Sequence, residues 1–562
     1  MLSATFGGLE SAIRPSKDLH PDFEPLTACV QTPKIVKGLD PNAGSPTKTK
    51  AADMSESANA SDHIRSEMDG LPRELRKQPM MDATLPVAVL SEPAKKRFKA
   101  VALLLGICVF ASVIAIFPHG LSAQEPAAAV PTAPFTLPPT GPVREREPLS
   151  SFQGFLEDAL PLNPQRLRVS GELREQYESW CNREFGLAED ADNDYLLQRV
   201  YLSFESQPAD WLSTLAELGS SFQFGSSFEP SPIDEDPVYF QQLFANTTLL
   251  ESQAGRLSAT FGRQVFSLGS GRLVAIRNGP NIRRSFDAVR LQFDSAPVAW
   301  QLLCGSDVEF GGDGFDNEPR TDRLLWGSYH TFKAGPESLL PGNGGLDLYY
   351  LGYRNRDAEF DSASGDERRH SFGARAFGLF GNGNRWDYNI EPVVQFGSIG
   401  DQQIQAYTVA NVLGYTFRAA PMEPRLGLKF DIISGDRDRN DGRLETFNAY
   451  FPNNSYFSEA AIFAPANLYD LNLNAELQLF ETLRLVMLWD FLWRYSNSDA
   501  IYVPPGRPAF PGNSSDRRFI GDTISLATEW KPTPAIEPVW HMFTWNPARP
   551  SIPLVVIRQT FS

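Results

Sequence analysis

Apolar and polar residues alternate along many short segments of the chain from about residue 166 onward. Between residues 471 and 479 every second position is apolar, and the positions between hold Asn472, Asn474, Glu476 and Gln478. The segments 289–293, 425–432 and 483–494 repeat this pattern. A period of two with one apolar face predicts β-strands.

Strands with one apolar face occur in soluble β-sandwiches, where that face forms the core, and in outer-membrane barrels, where it meets lipid. Strand length favours the barrel, because about 9–11 tilted residues cross a bilayer, and so do aromatic residues near strand ends. An open sheet would leave backbone groups unpaired in lipid, so the sheet must close. We therefore predict an all-β fold, an antiparallel transmembrane β-barrel of about 16–18 strands over residues 166–530.

Residues 94–123 have the pattern of a secretory signal peptide, which supports export. Four cations precede an uncharged apolar run, and Leu121-Ser122-Ala123 follows it as a small-residue cleavage site. We expect cleavage after Ala123. The alternative is an uncleaved transmembrane anchor, since the run is slightly longer than in most signals. Residues 124–165 are rich in Pro and Ala and predict an extended periplasmic linker.

Residues 1–93 are polar and lack a sustained apolar period, which predicts disorder. A signal so far from Met1 leads to the hypothesis that translation begins at Met80 or Met81 and that the preceding segment is a gene-model error. Sequencing of the precursor's N-terminus tests this start. A peptide from residues 1–79 detected in cells would exclude it.

The tail, residues 531–562, does not fit a barrel. It carries prolines at positions 532, 534, 538, 547, 550 and 553, and proline cannot donate to a strand ladder. A closing strand should end on an aromatic residue, but Phe561 is penultimate. Our hypothesis is a reading-frame slip near codon 534. Resequencing of the locus tests it, and an intact frame would exclude it.

The net charge of −17 argues against a nucleic-acid partner, which requires a basic footprint. The histidines, among them His330, His370 and His541, are scattered, and no nucleophile–base arrangement is visible. We therefore predict neither an enzyme nor a cofactor.

A weak calcium signal lies at Asp436, Asp438 and Asn440, whose oxygens have suitable spacing. Because Phe447 stands where the calcium loop needs an acid, a tight turn is the preferred interpretation.

Several motifs, in order along the chain, resemble one family. Phe261-Gly262-Arg263-Gln264 is followed by Gly271-Arg272-Leu273-Val274 and by RSFDAVR at 284–290. The most specific stretch is 424–452, PRLGLKFDIISGDRDRNDGRLETFNAYFP, and further similarity follows at 467–471 and 493–495. Together these motifs, over about residues 166–530, resemble the alginate-export family of outer-membrane barrels.

The resemblance implies an eighteen-stranded monomeric barrel in the cell outer membrane that passively exports an anionic polysaccharide such as alginate. The implied partners are the polysaccharide, outer-membrane lipid and periplasmic export machinery. A general or uptake porin for small anionic solutes is the alternative with the same fold. A soluble secreted carbohydrate-binding β-protein is a remote alternative, because Trp489, Phe491 and Trp493 line one strand face.

Export of a carboxylated polymer calls for fixed cations in the lumen, and the planar guanidinium of arginine pairs well with carboxylates. Strand alternation places six cations on the inward face: Arg199, Arg290, Arg375, Arg425, Lys429 and Arg494. The family motifs add Arg284, which shares the parity of Arg290, and Arg263.

Arg263 shares the parity of Phe261, so it should face lipid unless a bulge or a strand end turns it inward. The inward cations also have a second interpretation, in which they pair with lumen acids and brace the barrel. The candidate acids are Glu217, Asp431, Glu476 and Asp490.

Overall fold

The computed structural model describes residues 167–181, 192–334, 343–383, 385–457, 460–533, 537–547 and 554–561. The predicted disordered region, signal peptide and linker lie outside these residues. The described part of the chain contains no helix with the length and apolarity needed to cross a membrane.

The described residues form one large antiparallel sheet of eighteen long strands, numbered here in chain order together with four short ones. The long strands are β1 (Leu167–Cys181), β2 (Asn193–Ala209), β3 (Leu212–Phe224), β4 (Asp236–Ser252), β5 (Gly255–Gln264), β6 (Phe286–Asp294), β7 (Val298–Glu309), β9 (Arg323–Lys333), β10 (Asn343–Glu359), β11 (Ser364–Phe380), β12 (Trp386–Ile399), β13 (Gln402–Thr416), β14 (Arg425–Ile433), β16 (Leu468–Phe480), β17 (Leu483–Arg494), β20 (Phe519–Trp530), β21 (Val539–Pro547) and β22 (Leu554–Phe561). The short ones are β8 (Glu318–Pro319), β15 (Arg443–Leu444), β18 (Ile501–Val503) and β19 (Arg507–Phe510).

The sheet closes on itself. Each long strand pairs with the next long strand, and the last one, β22, pairs antiparallel with β1 from Glu175↔Phe561 to Cys181↔Val555. Closure removes the exposed sheet edges that lipid cannot satisfy. The predicted all-β transmembrane barrel is confirmed, with the strand number at the upper end of the expected range.

The sheet extends beyond residue 530, where we expected the barrel to end. Strands β21 and β22 lie in the tail that its prolines argued against. Among the described residues, Pro532 and Pro538 precede β21 and Pro547 is its last residue, so the ladder within β21 keeps its other donors. The prolines at 534, 550 and 553 lie outside the described residues. The expected boundary was therefore too early. The reading-frame hypothesis concerns the gene and stays a prediction.

Side chains alternate between an apolar outer face and a polar inner face. On β17, Met487 and Trp489 point outward and are 48% and 44% exposed, whereas Asp490 and Arg494 are buried inside. The same holds for Val289, 59% exposed, and its inward neighbour Arg290. A belt of exposed large apolar residues around a closed barrel is the lipid-facing surface of an outer-membrane protein.

The two ends of the barrel differ in their connections. At one end the strands are joined by short turns such as 210–211, 253–254 and 481–482. The three longest connections, residues 265–285, 434–467 and 495–518, all lie at the other end. Because outer-membrane barrels carry short periplasmic turns and longer extracellular loops, this end is the extracellular one.

Candidate functional site in the barrel lumen

Two long extracellular connections fold into the barrel instead of extending outward. We call residues 265–285 the crossing loop and residues 434–467 the plug loop. They pair with each other at Val274↔Phe451, and the Phe451 backbone N–H donates to the Leu273 carbonyl at 2.9 Å. Their apolar side chains pack with inward aromatic residues of the wall, such as Tyr353 of β10, into the main buried cluster of the described residues.

The tip of the crossing loop is fixed to the far wall at Glu391 of β12. This carboxylate accepts hydrogen bonds from the Ser270 hydroxyl, from Arg272 Nε at 2.8 Å and from the Tyr349 hydroxyl at 2.8 Å. Gly269, with a φ of +51°, allows the close approach, because a Cβ there would collide with the Tyr329 hydroxyl. The loop therefore spans the lumen from β5 and β6 to β12.

The plug loop is held by a buried ionic cluster. Lys429 Nζ of β14 lies 2.9 Å from Asp470 Oδ2 and 3.5 Å from Asp490 Oδ1, and it donates to the Tyr456 carbonyl of the plug loop at 3.0 Å. Lys429 and Arg272 both contact the Tyr456 ring, at 4.3 and 4.5 Å from its centroid. Arg272 Nη1 also lies 3.9 Å from Asp431 Oδ1, so one cluster joins both loops to the wall.

At the periplasmic end, charges of alternating sign run across five strands. Arg425 forms a bidentate pair with Asp387, 2.6 and 2.8 Å, and reaches Glu476 at 3.1 Å. Arg484 continues the row to Glu476 at 3.1 Å and to Glu529 at 2.8 Å. Gly414 of the intervening β13 has no side chain, which lets the Arg425 guanidinium pass over it to Asp387. We call this row the charge ladder.

Near the extracellular end, arginines of β1 and β2 hold the base of the crossing loop. Arg199 pairs with Glu172 at 2.5 Å and donates to the Asn281 carbonyl at 3.1 Å. Arg174 donates to the carbonyls of Asn278 and Pro280 at 2.7 and 2.9 Å.

The predicted lumen cations divide into two groups. Arg199, Arg375, Arg425 and Lys429 are buried in ion pairs with wall carboxylates, Arg375 with Asp347 at 2.7 Å. Within the described residues, Arg284, Arg290 and Arg494 have no carboxylate within 4 Å. The first group has the contacts of the bracing interpretation.

The three inward arginines of the second group make neutral contacts. Arg290 donates to Gln301 at 3.0 and 3.2 Å and lies over the Phe266 ring. Arg284 lies over the Phe451 ring at 5.1 Å, and its burial, together with the nearby Arg277, lowers its pKa to about 9. Arg494 donates to the carbonyls of Ser515 and Arg517 in the connection 495–518.

Arg263 does not face the lumen, which corrects its place among the lumen residues. It lies on the outer face with Phe261, 51% exposed, as strict alternation indicated, and its cross-strand neighbours are Leu243 and Asp287. No bulge turns it inward. Asp287 accepts from its Nε and Nη2, both at 2.9 Å.

The predicted acids all lie inside the barrel. Asp431 and Asp490 belong to the Lys429 cluster and Glu476 to the charge ladder. Glu217 accepts from the Ser203 hydroxyl at 2.6 Å. The predicted site residues do not include the partners Glu391, Asp387, Asp470 and Arg484. Strand parity could have found Arg484 and Asp470, whereas the docking of Arg272 on Glu391 joins distant segments and has no local signal.

The segment with calcium-like spacing is a turn. The Asp436 carboxylate accepts the Ser362 hydroxyl and the Asp438 backbone N–H, and Asp438 in turn accepts the Asn440 N–H at 3.1 Å. In the described residues no group of three His, Cys, Asp or Glu is arranged to hold a metal. The two carboxylates thus accept hydrogen bonds from the backbone of the turn, and Asp436 also accepts one from Ser362.

Comparison with protein families gives a match to the alginate export family over residues 165–538. Comparison with curated protein sequences gives no match. Among solved structures, similar chains come from Pseudomonas aeruginosa. OccK8 (OprE) has 12% identity and a TM-score of 0.47, covering 71% of this chain and 97% of that one. OccK11 (OpdR) has 13% identity and a TM-score of 0.46, covering 70% and 94%. The outer membrane protein opdK has 11% identity and a TM-score of 0.46, covering 71% and 98%.

Proposed function

This chain belongs to the alginate export family, and from this membership we propose that it passively exports an anionic polysaccharide such as alginate. Family and closed barrel make the chain an outer-membrane channel of porin type. Beyond a porin-type channel, we propose the identity of the cargo, the outward direction of transport and the residues that contact the cargo. Transport down a gradient requires no covalent step, in keeping with a channel-type family.

The observation that carries the proposal is the polar wall of β4 to β7 around Arg290. Arg290 faces the lumen with amide partners only, so its charge is not neutralised by a carboxylate within 4 Å in the described residues. Beside it, Asn246, Thr260 and Gln292 form a hydrogen-bonded row, with distances of 2.6 and 3.1 Å. A uronate chain offers carboxylates for the guanidinium and hydroxyls for such amides.

The cations that form ion pairs with wall carboxylates have a structural role in this proposal and do not contact the polymer. Arg425 and Lys429 are fully engaged with carboxylates, and exchanging these partners for a polymer would leave buried charges unpaired. They hold the wall and the plug loop, while Arg284, Arg290 and Arg494 supply the contacts to the polymer. Weak contact at several separated points suits conduction, because the cargo must also leave each point.

The crossing loop and the plug loop lie in the lumen, so movement of either loop would widen the path of the polymer. Glu391 accepts the direct hydrogen bonds of the loop tip to the wall, and Arg272 has a longer contact to Asp431, so release from Glu391 is the simplest opening step. Monomeric state and coupling to periplasmic export machinery are part of the same proposal and rest on the family alone.

Planar-bilayer conductance of the protein purified from outer membranes tests the cargo. We expect block by polymannuronate at low concentration and no block by neutral dextran. Arg290→Gln should weaken the polymannuronate block by about tenfold, since a charge-assisted hydrogen bond contributes roughly 1.5–3 kcal/mol. Arg354→Gln is the matched control, because Arg354 lies on the outer face opposite Leu324, which is 38% exposed.

A channel that conducts but ignores both polymers would contradict polysaccharide export. That result would favour the general or uptake porin for small anionic solutes. Equal block in the wild type and in Arg290→Gln would contradict the assigned role of Arg290.

A further inference from the structure

The lipid-facing surface has two neighbouring hollows on the outside of strands β2 to β6. The larger, about 490 Å³, is apolar and runs between Phe204, Leu243 and Phe261 over the small residues Ala216 and Ala245. The smaller, about 300 Å³, is lined by the polar residues Arg263, Asp287 and Asn317 and by the apolar residues Phe240, Leu243 and Phe315. Leu243 borders both hollows, so they lie side by side. We call the two together the depression, with an apolar part and, at Arg263 and Asp287, a charged part.

The charged part lies at the extracellular boundary of the membrane. Strands β5 and β6 have 10 and 9 residues, the minimum needed to cross a bilayer. Arg263 is the penultimate residue of β5, and Asp287 is the second residue of β6. Both therefore lie at the height of the head groups of the extracellular leaflet.

Arg263 is placed to contact a ligand in this depression. Asp287 engages its Nε and Nη2, and Nη2 also donates to the Asn317 carbonyl at 3.1 Å. Nη1 makes no hydrogen bond to any described residue, although the Arg263 side chain is only 13% exposed. The ion pair fixes the guanidinium and leaves Nη1 to donate to an anionic group such as a phosphate.

We propose that this depression binds one phosphorylated glycolipid of the extracellular leaflet, with an acyl chain in the apolar hollow and a phosphate at Arg263. The occupant is a lipid because the depression lies within the membrane-facing belt, next to Phe261 and Leu243, which are 51% and 48% exposed. It is the glycolipid because only a head group of the extracellular leaflet reaches the height of Arg263. The site is outside the lumen and is separate from polysaccharide transport.

Native mass spectrometry of the full-length protein, extracted from outer membranes in mild detergent, tests this site. We expect one retained phosphorylated glycolipid per chain. Arg263→Gln removes the phosphate donor, and Ala245→Leu fills the apolar hollow without touching the ion pair. Each variant should lower the retention of glycolipid at least about tenfold. Arg263→Gln loses a charge-assisted hydrogen bond to the phosphate, and Ala245→Leu loses the packing of the acyl chain in the apolar hollow.

The matched control is Arg354→Gln. Arg354 forms an equivalent bidentate pair with Asp366, at 2.9 and 3.1 Å, but lines neither hollow. The Arg354→Gln variant should retain as much glycolipid as the wild type. Block of the channel by polymannuronate should be unchanged in Arg263→Gln and Ala245→Leu, because the depression lies outside the lumen. Retention unaffected by both variants would overturn the proposal. Binding of added phosphatidylglycerol as tight as that of the glycolipid would also overturn it. A dimer that Ala245→Leu dissociates would overturn it too, because the depression would then be a contact between two copies of the chain.

Discussion

At the scale of single residues, Gly269 determines whether the crossing loop reaches the far wall. Its positive φ costs an L-residue roughly 1–2 kcal/mol, and a Cβ would also collide with Tyr329. We predict that Gly269→Ala releases the loop tip from Glu391 and raises single-channel conductance. Gly383→Ala is the control, because Gly383 has a φ of +69° but no atom within 4 Å of the added Cβ. Identical conductance in both variants would contradict the anchoring of the loop.

We predict that Asp499 makes the extracellular connection 495–518 sensitive to pH. It accepts the Asp436 N–H at 2.8 Å and the Thr446 hydroxyl at 2.5 Å, which ties this connection to the plug loop. Burial raises its pKa to about 6. The closed state, in which Asp499 is buried, therefore keeps a proton that the Asp499 carboxyl loses near pH 4 once the connection opens. The contact between the connection 495–518 and the plug loop is therefore most stable below about pH 4 and weakens as the pH rises from about 4 to 6.

We predict that hydrogen exchange at residues 495–502 becomes faster between pH 4 and pH 7, beyond the intrinsic effect of pH on exchange. A shift of this size corresponds to up to about hundredfold more opening. Asp499→Asn should remove this additional dependence, because the amide does not titrate. An additional dependence that persists in Asp499→Asn would contradict the assignment to this carboxyl group.

At the scale of elements, the charge ladder joins β12, β14, β16, β17 and β20 at the periplasmic end. Removing Arg425 leaves Asp387 and Glu476 without a shared partner, and breaking such a buried pair costs about 3–5 kcal/mol. We predict that Arg425→Gln lowers the free energy of unfolding in urea by about 3 kcal/mol. The double variant Asp387→Asn/Arg425→Gln should be less destabilised than the sum of the single variants. Strict additivity would show that the ladder does not stabilise the barrel.

How much of each element the sequence predicts depends on the range of its contacts. Strand alternation predicts β14, β16 and β17 and the inward side of Arg425, Lys429 and Arg494, because period two is a local property. Strand alternation also places Arg263 correctly on the outer face, whereas the family motif alone suggests a residue of the lumen. The docked loops escape prediction, since the contact of Arg272 with Glu391 joins positions 119 residues apart. The sequence does not predict β21 and β22, because a proline at the end of a strand cannot be distinguished from a proline within it before the strand boundaries are known.

At the scale of the whole molecule, the outer belt, the braced wall and the inserted loops have separate tasks. The belt holds the barrel in the membrane, and closure between β1 and β22 completes it. Arg199, Arg375, Arg425 and Lys429 are engaged in ion pairs, and we propose Arg284, Arg290 and Arg494 as the contacts to the cargo. The signal peptide, the downstream start and the reading-frame slip lie outside this arrangement and remain predictions.

Efflux of polymer from proteoliposomes is the most direct test of polysaccharide export by this barrel. The purified protein is inserted into vesicles loaded with fluorescent polymannuronate or with neutral dextran of matched length, and release is followed over time. We expect release of polymannuronate but not of dextran, with slower release through Arg290→Gln and faster release through Gly269→Ala than through the wild type. Retention of polymannuronate by vesicles that release small anions would contradict polysaccharide export and leave a porin for small solutes.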